Sequence, residues 1–183
     1  MQIFIDTEFT TLTREARMIS FGAVSEDGRE FYCELEPLPQ DECSPFVREI
    51  VLPLLEGGAA ICSGTRFGER LASWLNQFDN PMLLSDCDWD IYVVRRAVNG
   101  ERNRLPGPVT LPGPEGPLEV MLLTLAPLSD EALAVFERGL QQHFAGDNRQ
   151  HHALVDARAM REGLLSVRAA AERPRAFNQS PGC

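Results

Sequence analysis

Three places in the chain carry residues whose types and spacing could do chemistry. The first is Asp6-Thr7-Glu8, at the exit of the apolar run Gln2-Ile3-Phe4-Ile5. Side chains two apart on a strand share a face, so Asp6 and Glu8 project together, about 6–7 Å apart along it. Paired carboxylates repel and resist desolvation, and a divalent cation with a taste for oxygen, Mg²⁺ or Mn²⁺, relieves both problems. Two solvated acids at a strand end would look the same from this stretch alone. The second place is Asp86-Cys87-Asp88-Trp89-Asp90, directly after another apolar run. The third is His151-His152-Ala153-Leu154-Val155-Asp156, entering the last helical pattern. Any one of Asp86, Asp88 or Asp90 could instead serve a helix start. Each place is a polar exit from an apolar element, where sites of α/β proteins collect. Four carboxylates (Asp6, Glu8, Asp90, Asp156) and one imidazole (His151) brought together would suit metal-assisted chemistry.

The elements that must position these groups follow from periodicity. Residues 18–24 read as a buried strand and 30–35 as an alternating one, joined across Asp27-Gly28, a tight hairpin signal. With the opening strand they form a three-strand meander. Ser44-Pro45 reads as a helix start, with Phe46, Val47, Ile50 and Val51 as its apolar stripe and Pro53 at its end. A helix is expected over 65–78, with Phe67, Leu71, Trp74, Leu75 and Phe78 on one face. Residues 81–85 form a fourth strand, and a helix follows to Asn99, capped by Gly100. Residues 101–117 hold five of the thirteen prolines and read as a long loop, a lid or dimer contact. A strand over 118–122 follows, then a helix capped by Ser129 and stopped by Gly146. The last helix runs to about residue 170. The pattern predicts an α/β fold with a mixed central sheet flanked by helices, one domain over 1–170 and a fraying tail over 171–183.

Composition narrows the function classes. The chain has 183 residues, 44% hydrophobic and 24% charged, enough for one domain with its own core. No apolar run is long enough to span a bilayer, and the first residues enter a strand without a basic leader, so no membrane partner or signal peptide is expected. The five cysteines form no CxxC pair, which suggests neither zinc nor a disulfide framework and fits a reducing cytoplasm. The net charge of −10 argues against life on long duplex nucleic acid, but not against gripping a few nucleotides at one end. Arg158, Arg161, Arg168, Arg173 and Arg175 make the C-terminal end locally basic, as a solvated helix face or a phosphate-facing patch.

Taken together, Asp6-Thr7-Glu8 on a first strand, Asp90 behind Trp89 in a helix, and His151-x4-Asp156 on a last helix resemble the DEDDh 3′-to-5′ exonucleases of the ribonuclease H-like superfamily. The spacing is similar to that of a small bacterial exoribonuclease branch that includes the mycobacterial enzyme. The likeness covers residues 1 to about 165. It implies a ribonuclease H-like fold and a hydrolase with two Mg²⁺ or Mn²⁺ ions. Asp6 would touch both ions, Glu8 and Asp156 the first, and Asp90 the second. His151 would take a proton from the attacking water, and one nucleoside monophosphate would leave per cycle from the 3′ end of single-stranded RNA or DNA. RNA is favoured over DNA, and a homodimer is implied by the branch alone. His152 competes for the base, because a sister subfamily places a Tyr four residues before this Asp. Thr7, Phe9 and Trp89 are candidate substrate contacts; Phe9 could stack on the terminal base or belong to the core. The chain departs from the family at Phe9-Thr10-Thr11, where small residues and a glycine often follow the DxE, and at Asp86, where an Asn is common.

Three rivals stand beside this reading, one of them a ribonuclease H-type endonuclease, which would normally carry a single Asp on its first strand. A haloacid-dehalogenase-like phosphatase opens with Asp-x-Asp-x-Thr, but here Glu8 replaces the second Asp and His151-x4-Asp156 has no role. A catalytically silent nucleic-acid or nucleotide-binding module would be supported by loss of one of the five groups, and all five are present.

Overall fold

The computed structural model describes residues 1–38 and 40–172. Its centre is a seven-stranded mixed sheet. The strands are β1 (Gln2–Phe9), β2 (Met18–Ser25), β3 (Glu30–Glu36), β4 (Ile61–Ser63), β5 (Met82–Ser85), β6 (Gly107–Leu111) and β7 (Leu118–Thr124). Across the sheet they lie in the order β4-β3-β2-β1-β5-β7-β6. The meander is as expected: β1–β2 and β2–β3 pair antiparallel, while β5 joins β1 in parallel. The helices are α1 (Gly64–Leu75), α2 (Asp88–Asn99), α3 (Asp130–Gly146) and α4 (Ala153–Glu172). This is an α/β architecture consistent with a ribonuclease H-like fold.

The pleat of β1 sorts its residues between two cores. Ile3 and Ile5 join Phe21, Phe67, Leu71, Leu75, Leu83 and Ile91 under α1 and α2. Phe4 faces the other way, packing with Phe136, Ala157 and Met160 of α3 and α4. The period of two therefore sends Asp6 and Glu8 toward α4, and Thr7 toward α2. A third, smaller cluster of Ile19, Cys43, Val47 and Val51 anchors the segment after β3.

Local signals account for most boundaries. Ser129 Oγ accepts from Ala132 N–H at the start of α3, and Gly100 ends α2 in the left-handed conformation at φ 69°. Ser44 Oγ accepts from Val47 N–H as a helix start should, at 3.2 Å. The helix it opens is short and irregular: a π-turn over Val47–Val51, then a 3-10 turn over Leu52–Leu54 containing Pro53. Its expected stripe is split, for Val47 and Val51 are buried while Phe46 and Ile50 are exposed. Two strands lie where the sequence pattern predicts none. β4 has three residues, too few to show alternation, and β6 lies inside the proline-rich stretch that reads as loop. Pro108 is tolerated there because β6 is an edge strand.

The last helix extends to Glu172, two residues beyond the expected end, and residues 173–183 of the expected tail lie outside the described residues. The basic end is engaged with protein. Arg158 forms a fork with Glu30 (2.7 and 2.7 Å), Arg161 donates to the carbonyls of Ser25 and Glu26, and Arg168 reaches Glu26 and Gln2. Those three arginines tie α4 to the β2–β3 side of the sheet and do not form a phosphate-facing patch; Arg173 and Arg175 lie outside the described residues. No helix among the described residues is long and apolar enough to cross a membrane.

Candidate metal centre

The three acidic places converge at one end of the sheet. Asp6 and Glu8 leave β1 on the α4 side, and α4 arrives over β2 where β2 has no side chain. Gly22 pairs with Asp6 in the β1–β2 register. A Cβ on Gly22 would fall 2.3 Å from the Ala153 carbonyl carbon and the Leu154 nitrogen. Only glycine lets the first turn of α4 lie that close, and that turn carries Asp156.

Asp156 closes its own helix start: its Oδ2 accepts from His151 N–H at 2.9 Å. This fixes His151, which sits just before α4 at φ 72°, a region a non-glycine residue enters only when held. Potential ligand atoms of Glu8, His151 and Asp156 then lie within 4.8 Å of one another. The His151 and Phe46 rings meet edge to face, 5.0 Å between centroids.

Asp90 comes from the other side of the sheet, in the first turn of α2, and is 2% exposed. Its Oδ1 accepts from Thr7 Oγ1 at 2.5 Å and from Thr7 N–H at 3.2 Å, and its Oδ2 lies 2.5 Å from Ser85 Oγ at the end of β5. Asp86, Asp90 and Asp6 form a second group whose ligand atoms lie within 4.8 Å. Asp88 turns outward to Arg104, 3.5 Å away. Neither Asp86 nor Asp88 is the helix cap, which is Cys87 with no side-chain bond.

The electrostatics are those of buried, crowded carboxylates. Burial, then the charges of Asp90, Glu8, Asp156 and Asp86, hold the Asp6 carboxyl well above its usual range. Burial, then Asp156 and Asp90, raise Glu8 to about 9. Burial raises Asp90 to about 7 against the pull of the Ser85 and Thr7 hydrogen bonds, and Asp156 to about 7 against that of His151 N–H. Asp6 Oδ2 and Asp156 Oδ1 are enclosed and have no hydrogen-bond partner. Orphaned buried carboxylate oxygens are rare in a settled structure. Two carboxylate-rich groups sharing the end of β1 fit hard divalent cations such as Mg²⁺ or Mn²⁺.

The structure therefore brings together Asp6, Glu8, Asp90, His151 and Asp156, with Asp86 beside them. His152 goes elsewhere. It is 2% exposed, stacked on Tyr32 at 4.5 Å between centroids, with Nε2 3.3 Å from Glu56 Oε1. Thr7, a candidate substrate contact, is 4% exposed, and its hydroxyl and its N–H are both given to Asp90, so it acts on the site through that carboxylate. Phe9 and Trp89 stack on each other, centroids 6.0 Å apart, both partly buried against the α1–α2 core. Ser85 is a site residue that the sequence does not reveal. A serine ending a strand gives no signal until the strand is known to deliver it to Asp90.

Comparison with known proteins gives a partial match. No family model matches the sequence. The chain is similar to two curated proteins of Mycobacterium tuberculosis, from strains CDC 1551 / Oshkosh and ATCC 25618 / H37Rv, both named 3′-5′ exoribonuclease. Identity is 40% over 55 residues, covering 30% of this chain and 33% of the length of each relative.

Proposed function

We propose that the protein is a DEDDh-type 3′-to-5′ exonuclease acting on single-stranded nucleic acid, RNA in preference to DNA, and releasing nucleoside monophosphates. The observation that carries this is the pairing of two ligand groups, Glu8–His151–Asp156 and Asp6–Asp86–Asp90, around buried oxygens that lack partners. The name of the mycobacterial relatives supports both the polarity and the sugar.

Asp6, Glu8, Asp90 and Asp156 would hold two Mg²⁺ or Mn²⁺ ions, with Asp86 near the second. Such ions would supply positive charge against the phosphate oxygens and lower the pKa of the attacking water. The chain's own part is positional. Thr7 and Ser85 fix both oxygens of Asp90, and the His151 N–H fixes one oxygen of Asp156. Burial holds the His151 imidazole below its ordinary pKa, so it is neutral near pH 7 and free to take a proton from the attacking water at a ring nitrogen. Phe9 and Trp89 border the carboxylates from the α2 side and offer aromatic surface beside the terminal nucleotide. The homodimer implied by the family likeness belongs to the same proposal.

An oligonucleotide without a 3′ end tests the reading. A linear single strand should be consumed in Mg²⁺ or Mn²⁺, and the same strand closed into a circle should survive. A degraded circle would make the protein an endonuclease.

A further inference from the structure

Each aromatic beside the site is one residue away from a carboxylate of it: Phe9 follows Glu8, and Trp89 precedes Asp90. A third group completes the column. Arg104 reaches back from the segment between α2 and β6, its guanidinium carbon 3.6 Å from the centre of the Trp89 ring. That segment belongs to the proline-rich stretch whose role the sequence leaves open.

Arg104 has a loose acidic partner. Its Nη1 lies 3.5 Å from Asp88 Oδ2, and the two side chains are 42% and 50% exposed. A single contact between exposed groups contributes little and exchanges readily. The arginines at the other flank are held differently. Arg149 grips Asp147 at 2.9 and 2.6 Å, and Arg158 grips Glu30 with a two-point fork. A guanidinium laid on an aromatic face keeps its edge donors free for a two-point acceptor, and phosphate is such an acceptor.

Charge gives this arrangement a purpose. The protein carries −10 overall, and Asp6, Glu8, Asp86, Asp90 and Asp156 crowd the site. On so acidic a protein, a cation outside the metal centre adds attraction for a polyanion approaching that end. Resting on exoribonuclease chemistry at the metal centre, we propose that Arg104 is a substrate-positioning residue. It leaves Asp88 to grip the backbone phosphate one nucleotide upstream of the scissile bond, with Trp89 as its platform. Asp88 keeps the guanidinium parked on the ring until a phosphate replaces it. On this proposal the scissile phosphate lies among the carboxylates, and Arg104, stacked on the residue next to Asp90, takes the next one.

A charge-swap cycle tests this by binding alone. A 5′-fluorescein single-stranded RNA pentamer is compared with the same pentamer carrying one neutral methylphosphonate at the upstream linkage. Anisotropy titrations in Ca²⁺ would use the wild type, Arg104→Ala and Arg104→Lys. The wild type should bind the neutral pentamer about tenfold more weakly, the scale of one charge-assisted contact. Arg104→Ala should bind the ordinary pentamer about tenfold more weakly and show no further loss on the neutral one, and Arg104→Lys should recover part of the difference. The inference is overturned if Arg104→Ala keeps the full methylphosphonate penalty, which would mean that the phosphate is read elsewhere or that the change acted only through Trp89. It is equally overturned if Arg104→Ala binds like the wild type, or if the wild type binds neither pentamer. Cleavage without this coupling would sink the role of Arg104 alone. Coupling without cleavage in Mg²⁺ would sink the exonuclease reading and leave Arg104 as a phosphate contact.

Discussion

Asp6 illustrates a residue whose placement costs stability. Its carboxyl is held well above its usual pKa by burial and by four neighbouring acids, and its Oδ2 has no partner. Replacing Asp6 by Asn removes the charge and keeps the shape. Asp6→Asn should therefore abolish hydrolysis while raising the melting temperature in chelator; a lowered melting temperature would show that the carboxylate is structurally required. The whole cluster should also couple stability to pH. Asp90 and Asp156 are raised to about 7 and Glu8 to about 9, from ordinary values near 4. Folded protein then binds more protons than unfolded across that window, so this contribution to stability is full below about pH 4 and declines as pH rises through 7 toward 9. Cation binding requires the deprotonated ligands. The gain in melting temperature on adding Mn²⁺ should accordingly grow from pH 5 to pH 9, and a gain independent of pH would contradict the metal assignment. The two histidines separate in a similar way. His151→Ala should lower the rate about 10²–10⁴-fold with little change in stability, the range for a lost general base. His152→Ala, which removes a buried ring from between Tyr32 and Glu56, should mainly destabilise, by about 1–3 kcal/mol. Rates and denaturation curves on both variants decide the matter, and the reverse pattern would transfer the base to His152.

The element that sets the site is α4, and the residue that seats it is Gly22. A Cβ there would overlap backbone of Ala153 and Leu154, which cannot swing aside like a side chain. Gly22→Ala should cost about 1–3 kcal/mol or more and lower activity at the same time, because lifting α4 carries His151 and Asp156 away from Glu8. Wild-type activity in a folded Gly22→Ala protein would show that this seat is not needed. Gly22 has no distinguishing mark in the sequence; a glycine inside an apolar strand announces a close approach without saying to what. The acids are readable because strand pleat and helix phase put them at element ends. Ser44, Gly100 and Ser129 mark helix ends by their chemistry. β4 and β6 are not readable, one being too short to alternate and the other lying in a stretch whose prolines signal loop. Helical spacing assigns Phe46 and Ile50 to an apolar stripe, but the π-turn at Val47–Val51 changes the phase and leaves both exposed.

At the scale of the whole molecule, the mixed order of the sheet explains why residues 6, 90 and 156 meet. β1 lies between β2 and β5, so α4 crossing one face and α2 crossing the other both deliver their first turns to the same edge. Three motifs suggest that convergence without requiring it, since periodicity fixes which way a side chain points and not which strands are neighbours. Net charge is also only half informative. It argues against long duplexes, yet the basic C-terminal helix that could have offset it spends Arg158, Arg161 and Arg168 on Glu30, Glu26, Gln2 and backbone carbonyls. The central claim is that this edge hydrolyses single strands from the 3′ end with divalent ions. The most direct test is digestion of 5′-labelled single-stranded RNA and DNA oligomers by the full chain, in Mg²⁺, Mn²⁺ or chelator, beside Asp6→Asn. The account predicts a ladder that shortens stepwise from the 3′ end, faster on RNA, and absent both in chelator and in the variant. A ladder that persists in chelator, or no cleavage of either strand with either metal, would contradict it.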